Sequence, residues 1–283
     1  MQKVLLVAAL FAVAANAVLA TPIIGRGAGT LKPKQFIAQL DLAYSQTAKT
    51  YNWTDKKWDT LAAKKKTTTI SGMLLLGYAP LKKWEILAMV PLASKSQDTL
   101  SSMGVGDVEL HTRYQFIADK KAPVKLTAAA AFGLPTSNKD AKPKIGDGKM
   151  SGGLGLIATT KSFGKIVGHL RAAYWLNGKV NDTTKVGNMF EYVTKLDYDF
   201  TKSFQLWLSL VGTMQAKTEV NGTAVDKTQQ DRHVTQVGAV VKPVPVLSIR
   251  PKVMVPIAAL CKGGAIAPFG VGLDFWVIAP EKK

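Results

Sequence analysis

From Phe36 to Val277 apolar and polar residues alternate with a period of two, and the pattern returns along nearly the whole chain. In the stretch from Asp107 to Phe116, Val108, Leu110, Thr112, Tyr114 and Phe116 take one face, and Asp107, Glu109, His111, Arg113 and Gln115 the other. Successive side chains of a strand point to opposite faces, so this spacing makes one apolar and one polar side. A helix would scatter the five polar groups around its circumference. Phe36 to Ser45, Ile166 to Asn177, Phe190 to Phe200 and Leu247 to Ile257 repeat the pattern, and weaker segments bring the expected number to about twelve strands.

The connections alternate in length. Short turns are expected at Pro80–Lys83, Asp119–Pro123, Lys161–Lys165, Thr201–Ser203 and Pro243–Pro245. Long polar loops are expected at Thr47–Lys66, Ser94–Gly104, Thr136–Gly152, Gly178–Gly187 and Ala216–Arg232. That rhythm fits periplasmic turns and extracellular loops; a soluble sandwich gives no reason for it. Segments of ~ten alternating residues match tilted membrane strands, and without water a sheet inside a bilayer has to close on itself. The expected fold class is therefore all-β: a transmembrane antiparallel up-and-down β-barrel over 35–277.

The N-terminus adds a destination. Lys3 precedes an apolar run from Val4 to Val13, and small residues follow at Ala15, Ala17 and Ala20, the layout of a secretory signal peptide over 1–20. Residues 21–34 are then a flexible lead or a small plug, and 278–283 a charged C-terminal tail. The expected location is the outer membrane of a Gram-negative bacterium, with lipopolysaccharide and other outer-membrane lipid as surroundings and the barrel-assembly machinery as partner during insertion.

The formal net charge of +18 raises the question of nucleic acid. The lysines fall instead in polar loops, as at Lys56, Lys57, Lys64, Lys65 and Lys66, and no nucleic-acid reading motif accompanies them. Loops this basic would draw anionic solutes towards the barrel mouth. The single cysteine, Cys261, cannot form an internal disulfide and reads as a lone loop thiol.

Several motifs resemble the outer-membrane proteins of the meta-pathway of phenol degradation family. Gly104–Val105–Gly106–Asp107, running on to Arg113–Tyr114–Gln115–Phe116, is similar to that family's strand-opening segment. Gly77–Tyr78 to Val90–Pro91–Leu92 resembles its hairpin, Gly133–Leu134–Pro135–Thr136 its strand end before a long loop, and Asn177–Gly178 its next loop entry. The resemblance implies a transporter for small aromatic or other hydrophobic compounds. The chain departs from it at the C-terminus, where Phe275 and Trp276 are followed by a charged tail rather than closing the sequence.

The polar face supplies the pore-lining candidates: Asp41, Asp107, Glu109, His111, Arg113, Lys125, His169, Arg171, Glu191, Lys195, Asp197, Asp199, Arg250, Lys252 and Asp274. Acids and bases are mixed, so cross-strand pairs such as Glu109 with Arg171, or Asp197 with a lysine, are expected. Small inward residues, among them Ala129, Ala131, Gly133, Gly155 and Gly238, are expected to leave room for a cavity. A lipid-acting barrel enzyme is the alternative, together with a filled, non-transporting barrel. The sequence has no Gly-x-Ser-x-Gly elbow, and His111, His169 and His233 lack metal-ligand spacing, so neither a catalytic set nor a cofactor is expected.

Overall fold

The computed structural model describes residues 27–119 and 121–279. The expected signal peptide, residues 21–26 and the tail from 280 onward lie outside the described residues. Twelve long strands form the wall: β1 (Phe36–Thr47), β2 (Thr67–Leu81), β3 (Trp84–Gln97), β4 (Glu109–Ile117), β5 (Val124–Gly133) and β6 (Ser151–Thr160), then β7 (Ile166–Asn177), β8 (Met189–Asp199), β9 (Phe204–Gln215), β10 (Gln230–Val244), β11 (Leu247–Pro256) and β12 (Gly270–Ile278). Each pairs antiparallel with its sequence neighbour, and β12 returns to β1 from Ile37↔Ile278 to Ser45↔Gly270, closing the barrel. Closure leaves no row of unpaired backbone groups facing lipid, which a spanning sheet requires.

The alternation is realised strand by strand. Along β8, Glu191, Val193, Lys195 and Asp197 are buried inside, while Phe190, Leu196 and Tyr198 face outward. Aromatic residues mark both rims of the outer wall. Phe36 stacks on Tyr78 at 4.5 Å, and Trp84 donates its indole N–H to Thr112 at 2.7 Å, on the side of the short turns. Tyr44, Phe132, Tyr174 and Phe190 stand exposed near the long loops. Such amphipathic rings suit the two interfaces of a bilayer.

Four expected loops contain strands instead, among them Thr184–Lys185 in Gly178–Gly187 and the pair Glu219–Val220 and Thr223–Ala224 in Ala216–Arg232. Ser94–Gly104 is a hairpin: β3 runs on to Gln97 and pairs with Leu100–Val105. Thr47–Lys66 holds a second hairpin, Lys49–Asn52 with Lys57–Thr60. The last three residues of the expected loop Ala216–Arg232 already belong to β10. A sixth long connection, between Pro256 and Gly270, contains Cys261.

Leu31 packs with Ile37, Met73, Leu75, Ala79, Leu87, Met89 and Trp276 in one apolar cluster, and Ala28 with Ala129 and Ile157 in another. Residues 27–31 therefore run within the barrel, in its turn-side half, while Lys32 to Lys34 are exposed.

Candidate pore and its lining

Residues 27–31 are held by side chains from several strands. Glu85 accepts the Leu31 N–H and pairs with Arg113 at 3.1 Å, both carboxylate and guanidinium being fully buried. Arg113 also donates to the Gly27 carbonyl at 2.5 Å, and Thr127 to that of Ala28 at 2.5 Å. The Ala28 amide donates to Thr159 Oγ1 at 2.6 Å. Thr159 in turn meets His169 Nδ1 at 2.9 Å, His169 Nε2 meets Asp197 at 2.9 Å, and Lys195 reaches the other Asp197 oxygen at 2.8 Å. This Thr–His–Asp series has the outline of a catalytic relay. The threonine hydroxyl, however, sits against the Ala28 backbone, so its visible work is to fasten the segment.

Opposite lies a second charged group. Asp41 and Asp274 are direct cross-strand neighbours; Gln39 donates to both Asp41 oxygens at 2.7 and 2.8 Å, and Lys252 reaches Asp274 at 2.7 Å. The Arg250 guanidinium lies 3.4 Å above the Trp276 ring, and the Lys195 ammonium 5.3 Å from that of Trp207. Cations over aromatic faces are favoured by the ring quadrupole.

The structure pairs the candidates differently from expectation in one respect. Glu109 meets His111 at 2.8 Å, and Arg171 meets Glu191 at 3.1 Å, rather than each other. The reason is topology: Glu109 is on β4 and Arg171 on β7, with β5 and β6 between them, so the two are not cross-strand neighbours. Lys125 and Asp199 stand at the turn-side ends of their strands, where Asp199 accepts from Gln205 at 2.7 Å. His233 points outward near the loop-side rim, its Nδ1 2.8 Å from the Tyr192 hydroxyl. Glu85, Lys95 and Arg232 are buried lumen residues that the alternation in β3 and β10 could have revealed. Gly238 leaves no room: its direct neighbour Trp207 lays an indole over it, filling the place of a side chain. Trp175 covers Gly153 in the same way.

Asp107 is a clamp. One of its oxygens accepts the Ser137 amide at 3.1 Å, the other those of Asp147 and Gly148 at 2.9 Å each. The loop 134–150 is thereby drawn across the barrel mouth, with Ile145 buried and the Lys144 carbonyl taking the Lys95 ammonium at 2.7 Å. Thr136 accepts the Val108 amide and donates to the Gly106 carbonyl, both at 2.9 Å, and the Gly106 amide bonds the Pro91 carbonyl at 2.8 Å. Three of the sequence motifs, Val90–Pro91, Gly104–Asp107 and Leu134–Thr136, thus meet at one place. Beneath them a cavity of about 200 Å³ opens in the loop-side half, between Met73, Met89, Trp175, Glu191 and Arg232.

Among solved structures the chain is similar to the COG4313 outer membrane channel from Pseudomonas putida F1, with a TM-score of 0.76 over 88% of this chain and 97% of that one, at 16% identity. The fold is that of an outer-membrane β-barrel. The barrel also resembles the NanC porin, with a TM-score of 0.51 over 86% of this chain and 100% of that chain, at 7% identity. At such identities the likeness speaks for the fold alone. No family model and no curated protein matches the chain, so the resemblance to the phenol-degradation family rests on its motifs.

Proposed function

We propose that the protein is a passive outer-membrane channel for small hydrophobic or aromatic compounds, narrowed in its periplasmic half by residues 27–31. The observation that carries this reading is the division of the lumen: a cavity in the loop-side half, and an ordered, hydrogen-bonded segment in the turn-side half. Twelve strands enclose a bore between that of filled eight-stranded barrels and that of open porins. A solid structural barrel has no need of a chain segment fastened inside it. The outer membrane is its site of action, reached through the barrel-assembly machinery, with rim lysines against lipopolysaccharide phosphates.

The test is conductance across a planar bilayer, comparing the refolded protein with a deletion of residues 27–31. The expected outcome is small conductance steps that grow several-fold in the deletion. Equal steps in both would remove the segment's narrowing role. A folded barrel that neither conducts nor passes small aromatics into liposomes would end the channel reading.

A further inference from the structure

The short-turn rim carries charge of nearly one sign. Each of its five turns exposes a lysine, in the turn or at the strand end beside it: Lys82, Lys121, Lys161, Lys202 and, closing β10, Lys242. Backbone hydrogen bonds join neighbouring turns. The Gln115 amide donates to the Lys83 carbonyl at 2.8 Å, Lys161 to Pro123 at 2.7 Å, Asp199 to Lys165 at 2.9 Å and Lys242 to Ser203 at 2.9 Å. The lysines therefore stand on a connected rim rather than on separate arms. Among the described residues of that rim the exposed carboxylates are Asp119 and Asp199, and each accepts from a neutral donor, the Lys121 amide at 2.8 Å and the Gln205 side chain at 2.7 Å. The loop-side rim differs, because its lysines meet acids: Lys57 with Asp55 at 3.3 Å, Lys185 with Glu219 at 3.7 Å and Lys217 with Asp226 at 2.5 Å.

Exposed apolar side chains flank these lysines. Leu81 and Trp84 bracket Lys82, Phe200 and Phe204 bracket Lys202, and Phe163 lies between Lys161 and Lys165. Such side chains belong at the edge of the hydrocarbon layer, and the turns are too short to carry a lysine far from it. A lysine so placed lays its stem along the apolar border and holds its ammonium at the level of the lipid phosphates. We infer that the short-turn rim is a binding surface for anionic phospholipid, taking phosphatidylglycerol-type headgroups in preference to zwitterionic ones. A zwitterionic headgroup brings its own cation, which the lysines repel, whereas an anionic one brings only its phosphate. The strongest place is where the β6–β7 and β8–β9 turns meet, since the Lys165 ammonium reaches the Phe200 carbonyl at 3.5 Å and sets Lys161 and Lys165 beside Lys202. The inference rests on the membrane-spanning fold and is independent of what passes through the lumen.

The probes are spin-labelled phosphatidylglycerol and spin-labelled phosphatidylcholine, each at trace level in phosphatidylcholine vesicles holding the refolded protein. Electron spin resonance reads the fraction of label immobilised on the barrel wall. One lysine near a membrane surface strengthens anionic-lipid association about fivefold, so phosphatidylglycerol should be favoured about threefold once both leaflets are averaged. The preference should fade in molar salt, where screening is short-ranged. Lys161→Gln, Lys165→Gln and Lys202→Gln together should remove about half of it, and adding Lys82→Gln, Lys121→Gln and Lys242→Gln should bring the two lipids close to parity. Lys56→Gln with Lys57→Gln, on the loop side, should leave it unchanged. If the sixfold variant does not fold, the triple variant and the salt dependence of the unaltered protein carry the test. Equal association of the two lipids, a preference that survives the sixfold variant, or one lost with the loop-side pair instead overturns the inference. A barrel that prefers phosphatidylglycerol without conducting supports it and ends only the channel reading.

Discussion

The pairing of Glu85 with Arg113 shows what holds single residues in this lumen. Neither side chain has access to solvent, and each also bonds the 27–31 backbone. Replacing one member of a buried ion pair leaves the other charge uncompensated, so Arg113→Met should cost ~3–5 kcal/mol in urea unfolding from lipid vesicles. Adding Glu85→Gln to that variant should restore part of the loss, because the stranded charge is then gone. Cys261 gives a contrasting case outside the membrane-spanning strands. Burial pushes its thiol above the usual range, and it contacts the His233 backbone at 3.3 and 3.5 Å. Since the thiolate is the nucleophile, maleimide at neutral pH should label Cys261 slowly in the folded barrel and rapidly in urea. Equal rates would mean that the loop exposes it. At this scale the facing of residues was legible in the sequence, because parity decides it. Partners such as Glu109 with His111 were not, because several polar side chains share the inner face and alternation does not say which of them bond. Nor was the filling of Gly238 by Trp207, since a glycine reads as empty space until the strand beside it is known.

Elements were legible where they cross the apolar layer and illegible where they leave it. A strand inside a bilayer must alternate, because one face meets lipid. Above the bilayer both faces meet water, and alternation loses its cause. That is why Leu100–Val105, paired with β3 beyond the wall, reads as polar loop, and why β10 begins earlier than its pattern suggests. The infolding of loop 134–150 depends on Asp107, whose role is invisible in an alternating string that also places it inside. Asp107→Ala removes the acceptor of three amides at once. Trypsin should then cut at Lys139 or Lys144 many times faster, while the barrel keeps its resistance to unfolding in detergent. Unchanged cleavage would show that the Lys95 contact to Lys144 and the Thr136 bonds hold the loop without it.

For the molecule as a whole, the formal net charge of +18 says little about the lumen. Buried charged side chains balance: Asp41, Glu85, Glu191, Asp197 and Asp274 stand against Lys95, Arg113, Arg171, Lys195 and Arg232. The lysine excess lies instead on the two rims, as at Lys56, Lys64 and Lys139 above and Lys82, Lys161 and Lys202 below. Rim charges act through solvent and are screened over a Debye length of ~3 Å at 1 M salt but ~10 Å at 0.1 M. A paired lumen cannot impose strong selectivity on its own, whereas a basic mouth concentrates anions when screening is weak. Reversal potentials in asymmetric KCl should therefore show almost no ion preference at molar salt and a growing anion preference on dilution. Neutralising Lys139 and Lys142 should flatten that salt dependence and leave the molar-salt value where it was. A selectivity unaffected by salt would move its origin from the rims to the paired charges within, and with it the explanation for how the barrel sorts what passes.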